Sequence, residues 1–135
     1  MEPTTPAPQL KDVARLPAST YFSDLVQQYV GHGEWQLTEP LLYFGLDNPI
    51  VVPSGFTTDL DSVPRLPLVY AVFKGRAVRA AVVHDYLYET QRGKSFADRT
   101  FLKAMTHEGL PARWRYPIYW AVVLFGSPIY SRKRS

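Results

Sequence analysis

The chain has 135 residues, of which 46% are hydrophobic and 20% charged, a composition that excludes a disordered chain, a collagen-like repeat and a coiled coil. It contains no cysteine, which excludes a disulfide framework, a thiolate zinc site and a cysteine nucleophile. The net charge of +3 is uneven, with three basic against eight acidic residues (−5) through residue 70 and twelve against four (+8) from residue 71 onward. The stretch from Leu110 onward has five basic residues and no acidic one, which favours an anionic partner such as lipid headgroups, nucleic acid or an acidic protein surface. The alternative is a basic half that neutralises the acidic half, followed by a solvated tail.

The first part of the chain predicts an arm, a helix and a small sheet. Residues 1–18 are rich in proline, and we expect a flexible N-terminal arm there. Apolar residues between 21 and 29 recur at helical spacing, which predicts a helix over residues 19–30. Short apolar and alternating runs between residues 34 and 56, separated by turn residues, predict two or three antiparallel strands.

The second part of the chain predicts helices over residues 76–92, 95–107 and 112–125. The first two are joined by so few residues that they must form an antiparallel hairpin. We therefore expect an α+β fold, in which a small antiparallel sheet is followed by a helical hairpin and a C-terminal helix. The single domain covers residues 19–131, and a basic tail follows at residues 132–135.

Polar side chains interrupt the apolar first helix of this hairpin. His84, Asp85 and Tyr88 lie on one helix face at 3.6 residues per turn. There, a histidine could activate a water, the adjacent carboxylate could hold a cation, and the tyrosine could orient the ring's partner. Asp98 on the next helix is expected to contact Tyr88 more easily than it contacts His84. The alternatives are that His84 and Asp85 are buried structural groups and that Asp98 complements its helix dipole.

A second polar segment, GFTTDLDSVPR, occupies residues 55–65. If this segment is extended, Asp59 and Asp61 face the same way, and Asp85 could complete a set of oxygen ligands for calcium. The alternative is a polar loop whose acidic residues cap backbone amides and pair with arginines.

The two motifs together resemble an uncharacterised domain family of tailed bacteriophages and prophages. The resemblance rests on residues 55–65, on HDYLY at residues 84–88 and on the following Ala97-Asp98, and it covers about residues 30–130. It implies a phage-encoded protein that is made in the host cytoplasm and associates with other virion proteins in the tail or neck. It implies no particular reaction.

The order His-Asp-x-x-Tyr followed by Ala-Asp also resembles phospholipases of the A-two type, over about residues 80–105. This resemblance implies that His84 is the general base, that Tyr88 and Asp98 hydrogen-bond around it, and that Asp85 binds calcium. The glycine-rich calcium loop of those enzymes has no counterpart here. Side-chain oxygens of the 55–65 segment, including Asp59 and Asp61, would have to replace its carbonyls.

We therefore expect a virion-associated, calcium-dependent, phospholipase-like ester hydrolase that acts on a phospholipid membrane. The rival hypothesis is a non-catalytic structural or adaptor protein, in which His84, Asp85 and Asp59 form a buried network. An open cleft at His84 would favour hydrolysis, whereas an enclosed imidazole would favour the structural role. The chain has no nucleic-acid-binding motif, so a nucleic-acid partner is not expected.

Overall fold

A computed structural model of the chain describes residues 13–59 and 77–133. These residues form short strands followed by helices, which confirms the predicted α+β fold. The strands are β1 (Val13–Leu16), β2 (Leu25–Gly31), β3 (Glu34–Leu37), β4 (Leu41–Tyr43), β5 (Ile50–Val52) and β6 (Thr57–Thr58). The helices are α1 (Val78–Glu89), α2 (Lys94–His107), α3 (Ala112–Phe125) and α4 (Ser127–Arg132).

The strands form two antiparallel sheets. Four of them pair in the order β1-β2-β3-β6, and β4 pairs with β5. Gly31, His32 and Gly33 all have positive φ angles, of 96°, 55° and 76°, and this turn reverses the chain between β2 and β3. Strand β6, which lies within the 55–65 segment, pairs with β3, where Thr58 lies opposite Trp35.

The predicted helix over residues 19–30 is wrong, because Leu25–Gly31 forms β2. The apolar spacing fits a helix, but a helix of that length is marginal unless one face is packed. Here the backbone of β2 is hydrogen-bonded to a strand on each side, with Gln27 opposite Ala14 and opposite Leu37. Tertiary pairing therefore decides against the local helical pattern.

The two predicted termini also differ from the structure where they are described. Val13–Leu16, at the end of the expected arm, is the edge strand β1, and residues 1–12 lie outside the described residues. At the other end, Arg132 completes α4 and Lys133 pairs with Asp85, so the start of the expected basic tail packs on the domain. Residues 134–135 lie outside the described residues.

The helices position the site. Helix α1 is buried on nearly its whole circumference, which its Ala- and Val-rich sequence allows, and it packs against α2, β5 and β6. Helix α2 packs in turn against α3. The predicted hairpin of α1 and α2 is present, with bounds within three residues of those predicted, while the short α4 was not predicted. Within residues 13–59 and 77–133, no helix has both the length and the apolar character needed to cross a membrane.

Candidate functional site

The carboxylate of Asp98 is the centre of a buried polar cluster between α1 and α2. His84 Nε2 lies 2.8 Å from Asp98 Oδ1, and the Tyr88 hydroxyl donates to the same oxygen at 2.7 Å. Lys94 Nζ donates to Asp98 Oδ2 at 2.6 Å and also to the backbone carbonyls of residues 122–123 on α3. These four side chains, called the Asp98 cluster below, connect three helices.

The hairpin explains why these side chains meet. His84 and Tyr88 are one turn apart on α1, and Lys94 and Asp98 are one turn apart on α2, so each pair lies on one helix face. The connection turns sharply at Gly93, whose φ of 104° suits glycine. Asp98 was expected to lie nearer Tyr88 than His84, but it contacts both at nearly equal distance.

The electrostatics of His84 and Asp98 favour a neutral imidazole beside an ionised carboxylate. Complete burial lowers the pKa of His84, against the opposing effect of Asp98. Burial acts to raise the pKa of Asp98, but hydrogen bonds from His84 and Lys94 outweigh it, and the net pKa is lowered. The neutral ring therefore carries its proton on Nε2, which donates to Asp98, and has the lone pair on Nδ1. Burial and Asp98 raise the pKa of Tyr88, so its hydroxyl keeps its proton.

The imidazole is enclosed. Its ring stacks on Phe101 at a centroid distance of 4.5 Å and tilts against Tyr88 at 4.2 Å. The side chain of His84 is 0% exposed. Of the two arrangements considered in the sequence analysis, this is the one that favours a structural role.

Asp85 points away from this cluster toward β6 and the C-terminal segment. Its side chain is 2% exposed, and Lys133 Nζ lies 3.3 Å from Oδ1 in an ion pair. Burial raises the pKa of Asp85, while a hydrogen bond with Thr58 and the charge of Lys133 oppose the shift. Despite the ion pair, Oδ1 accepts no hydrogen bond of normal geometry in the described part of the chain.

Among residues 55–59, the described part of the 55–65 segment, Thr58 contacts the site directly. Thr58 is buried and hydrogen-bonds Asp85. Asp59 is exposed, yet near enough for its charge to raise the pKa of Asp85. Asp61, the other predicted calcium ligand in this segment, lies outside the described residues.

The described residues supply some of the oxygen ligands that a hard cation such as calcium needs. The Asp85 oxygen without a hydrogen bond and the Thr58 hydroxyl are ligands of the type that calcium prefers, and the Lys133 ammonium already places positive charge there. Calcium takes six to eight oxygen ligands. Across residues 13–59 and 77–133, no three His, Cys, Asp or Glu side chains form a metal-binding group.

Sequence reasoning missed both lysines of the site. Lys94 and Asp98 are four residues apart on one helix, and this spacing was a usable signal for their ion pair. Lys133 gave no comparable signal, because its ion pairs with Asp85 and Glu89 join residues more than forty positions apart.

Comparison with known proteins places the whole hairpin in one family. Residues 35–122 match the family described as protein of unknown function (DUF1353). The chain belongs to this family. The expected membership in an uncharacterised domain family is thereby confirmed, and the matched range contains both Thr58 and the Asp98 cluster.

The chain is also similar to a curated protein of Sinorhizobium fredii (strain NBRC 101917 / NGR234), the uncharacterized protein y4jT. The two are 30% identical over 114 residues, which cover 79% of this chain and 34% of y4jT. The chain therefore spans about a third of the length of this relative. No solved structure matches the chain.

Proposed function

We propose that the chain is a phage-encoded, virion-associated ester hydrolase of the phospholipase type that depends on calcium. The observation that carries the proposal is the His84–Asp98 pair, in which the carboxylate orients a neutral imidazole and is itself held by Tyr88. The next residue on α1, Asp85, supplies a buried carboxylate that supports a cation on the side facing Thr58 and Lys133. The motif resemblance supports the phage origin, with virion proteins and a phospholipid membrane as partners.

The residues of the cluster divide the chemistry between them. The His84 side chain is fully buried, so hydrolysis requires a movement that admits water and ester to the imidazole. Nδ1 then accepts a proton from the water as the water oxygen bonds to the ester carbonyl carbon. The C–O bond to the leaving alcohol then breaks, and the proton passes from Nδ1 to the alcohol oxygen. Asp98 stays ionised throughout and stabilises the transient imidazolium through Nε2–H, while Tyr88 and Lys94 fix the carboxylate.

Asp85 and Thr58 would hold the calcium ion. When bound, calcium supplies a Lewis acid that polarises the ester carbonyl and stabilises the oxyanion. Lys133 competes for the same carboxylate, since its ammonium pairs with both Asp85 and Glu89. Calcium binding therefore requires that Asp85 give up its ion pair with Lys133 and bind the calcium ion instead.

The test is fatty-acid release from phosphatidylglycerol vesicles with calcium and with chelator. We expect release with calcium only, and a loss of about 100-fold or more in His84→Gln. Phe44→Ser, a change at an exposed residue of the sheet region, is the control for a substitution outside the Asp98 cluster and should keep wild-type activity. Circular dichroism and thermal melting verify that His84→Gln is folded, and Asp85→Asn provides a second variant that should also lose activity. Absence of release from the wild type, or equal release from His84→Gln, would refute the proposal.

A second candidate is a non-catalytic structural or adaptor protein of the phage particle. The observation that favours it is the complete burial of the His84 side chain, together with hydrogen bonds of the Asp98 cluster that connect α1, α2 and α3. A fully satisfied buried network of this kind rigidifies a fold. This candidate predicts that His84→Gln lowers the melting temperature and that neither it nor the wild type releases fatty acid.

A further inference from the structure

Helix α3 exposes a row of large apolar side chains on the face opposite its packing face. Ile118, Ala121 and Val122 are buried, and α3 packs through them against α2. Tyr116, Trp120 and Leu124 are spaced one turn apart and are 47%, 53% and 65% exposed. These three residues are called the outer stripe. Monomeric soluble proteins rarely leave such contiguous apolar surface uncovered.

Both ends of α3 expose one more large apolar side chain, on the side of the helix that carries Ile118 and Ala121. Trp114 in the first turn is 40% exposed, and Phe125 in the last turn is 61% exposed. The outer stripe itself carries a tyrosine and a tryptophan, side chains with an apolar ring and one polar group, together with Leu124, which has no polar group. Tryptophan and tyrosine side chains are favoured at the boundary between water and lipid.

Charge indicates what covers this face. From residue 110 to the C-terminus the sequence has five basic residues and no acidic one. Among them, Arg113 lies on the same helix face as the outer stripe, one turn before Tyr116, and is exposed. A surface that combines exposed apolar and aromatic side chains with an exposed arginine on the same helix face matches an anionic phospholipid bilayer. A nucleic acid would match the charge, but it offers no apolar interior for Leu124.

We propose that α3 lies in the interface of an anionic phospholipid bilayer, with the outer stripe buried among the lipids and Arg113 at the headgroups. This binding extends the proposed function, because it would present phospholipid as an assembled surface. The bound helix is directly connected to the Asp98 cluster, since Lys94 donates to the carbonyls of residues 122–123. Binding itself requires neither calcium nor His84.

The experiment measures sedimentation of the full-length protein with phosphatidylglycerol vesicles and with phosphatidylcholine vesicles, in chelator and without calcium. We expect binding to phosphatidylglycerol that weakens as salt rises, and much weaker binding to phosphatidylcholine. The double variant Trp120→Ser/Leu124→Ser should bind at least about tenfold more weakly, because the buried apolar area is lost. Arg113→Gln should bind about fivefold more weakly at low salt.

Two controls separate this inference from the proposed hydrolysis and from self-association. Phe44→Ser/Val51→Ser removes two side chains of equal exposure, each 48%, far from α3 in sequence, and should bind like the wild type. His84→Gln should also bind like the wild type even if it hydrolyses nothing. The inference is overturned if phosphatidylglycerol vesicles do not bind the protein, or if the outer-stripe and control variants bind equally. It is also overturned if the outer stripe instead holds a dimer, seen as a change in elution volume in Trp120→Ser/Leu124→Ser.

Discussion

Replacing Asp98 with alanine removes the one acceptor that His84, Tyr88 and Lys94 share. The Asp98 side chain is 3% exposed, so water cannot readily replace the lost carboxylate for the two partners on α1. A hydrogen bond to a charged group contributes about 1.5–3 kcal/mol, and truncating one member of a buried ion pair costs about 3–5 kcal/mol. Lys94 moderates the loss, because its ammonium is 20% exposed and retains two backbone carbonyls. We expect Asp98→Ala to lower the free energy of unfolding by about 3–5 kcal/mol.

The loss of stability in Tyr88→Phe is the reference against which the loss in Asp98→Ala is compared. It removes a single donor and leaves Asp98 with two others, so it should lower the free energy of unfolding by about 1 kcal/mol. Urea unfolding followed by circular dichroism measures both variants, and the double variant gives their coupling energy, expected at about 0.5–3 kcal/mol. The reasoning is refuted if Asp98→Ala costs no more than Tyr88→Phe, or if the two changes are additive.

Three further predictions concern other parts of the same helices. Burial raises the pKa of Glu108, which accepts backbone N–H bonds at the start of α1, from 4.5 to about 7. The folded state therefore binds the Glu108 proton more tightly than the unfolded state does. The stabilisation that the protonated carboxyl gives the folded state is fully present below pH 4.5. It is lost as pH rises to about 7, by roughly 3 kcal/mol, and Glu108→Gln should abolish this loss in pH-dependent urea unfolding. Lys133→Met removes the cation that competes for Asp85, so calcium should raise the melting temperature more in this variant than in the wild type. Gly126→Ala would place its methyl carbon against the Val122 carbonyl oxygen and 2.6 Å from the Tyr88 hydroxyl oxygen, and it should cost about 1–3 kcal/mol in urea unfolding.

Each of these three has a result that contradicts it. For Glu108, the contradiction is an equal dependence of stability on pH between 4.5 and 7 in the variant and the wild type. For Lys133, it is a smaller calcium-induced rise in melting temperature in Lys133→Met than in the wild type. For Gly126, it is an alanine variant as stable as the wild type, which would mean that the close approach to Tyr88 is not made.

The helical half was predictable because its signals are local. The 76–92 stretch has no glycine or proline, and the positions of residues 84, 85 and 88 on one face follow from helix geometry alone. The short connection then brings α2 back alongside α1, which is enough to bring Asp98 near the polar face. Its contact with both His84 and Tyr88 depends on side-chain rotamers that spacing does not determine.

The N-terminal half was harder to predict because its strands are fixed by partners that are distant in sequence. Residues 25–31 have apolar spacing that suits a helix, and only hydrogen bonding to β1 and β3 makes them a strand. The same holds for His107. It stacks on Tyr21 with a centroid distance of 3.8 Å and hydrogen-bonds Tyr43, contacts from the sheet region to the end of α2 that no local pattern indicates.

The most direct test of the proposed reaction is to follow oxygen from water into the product. Phosphatidylglycerol vesicles are incubated with the protein in H₂¹⁸O, with calcium or with chelator, and the fatty acid is analysed by mass spectrometry. Attack by a water that His84 deprotonates predicts fatty acid carrying one ¹⁸O atom in the carboxyl group, with calcium only and not in His84→Gln. If the protein with calcium yields no more labelled fatty acid than vesicles alone, the hydrolytic account is contradicted and the Asp98 cluster serves only to connect the helices.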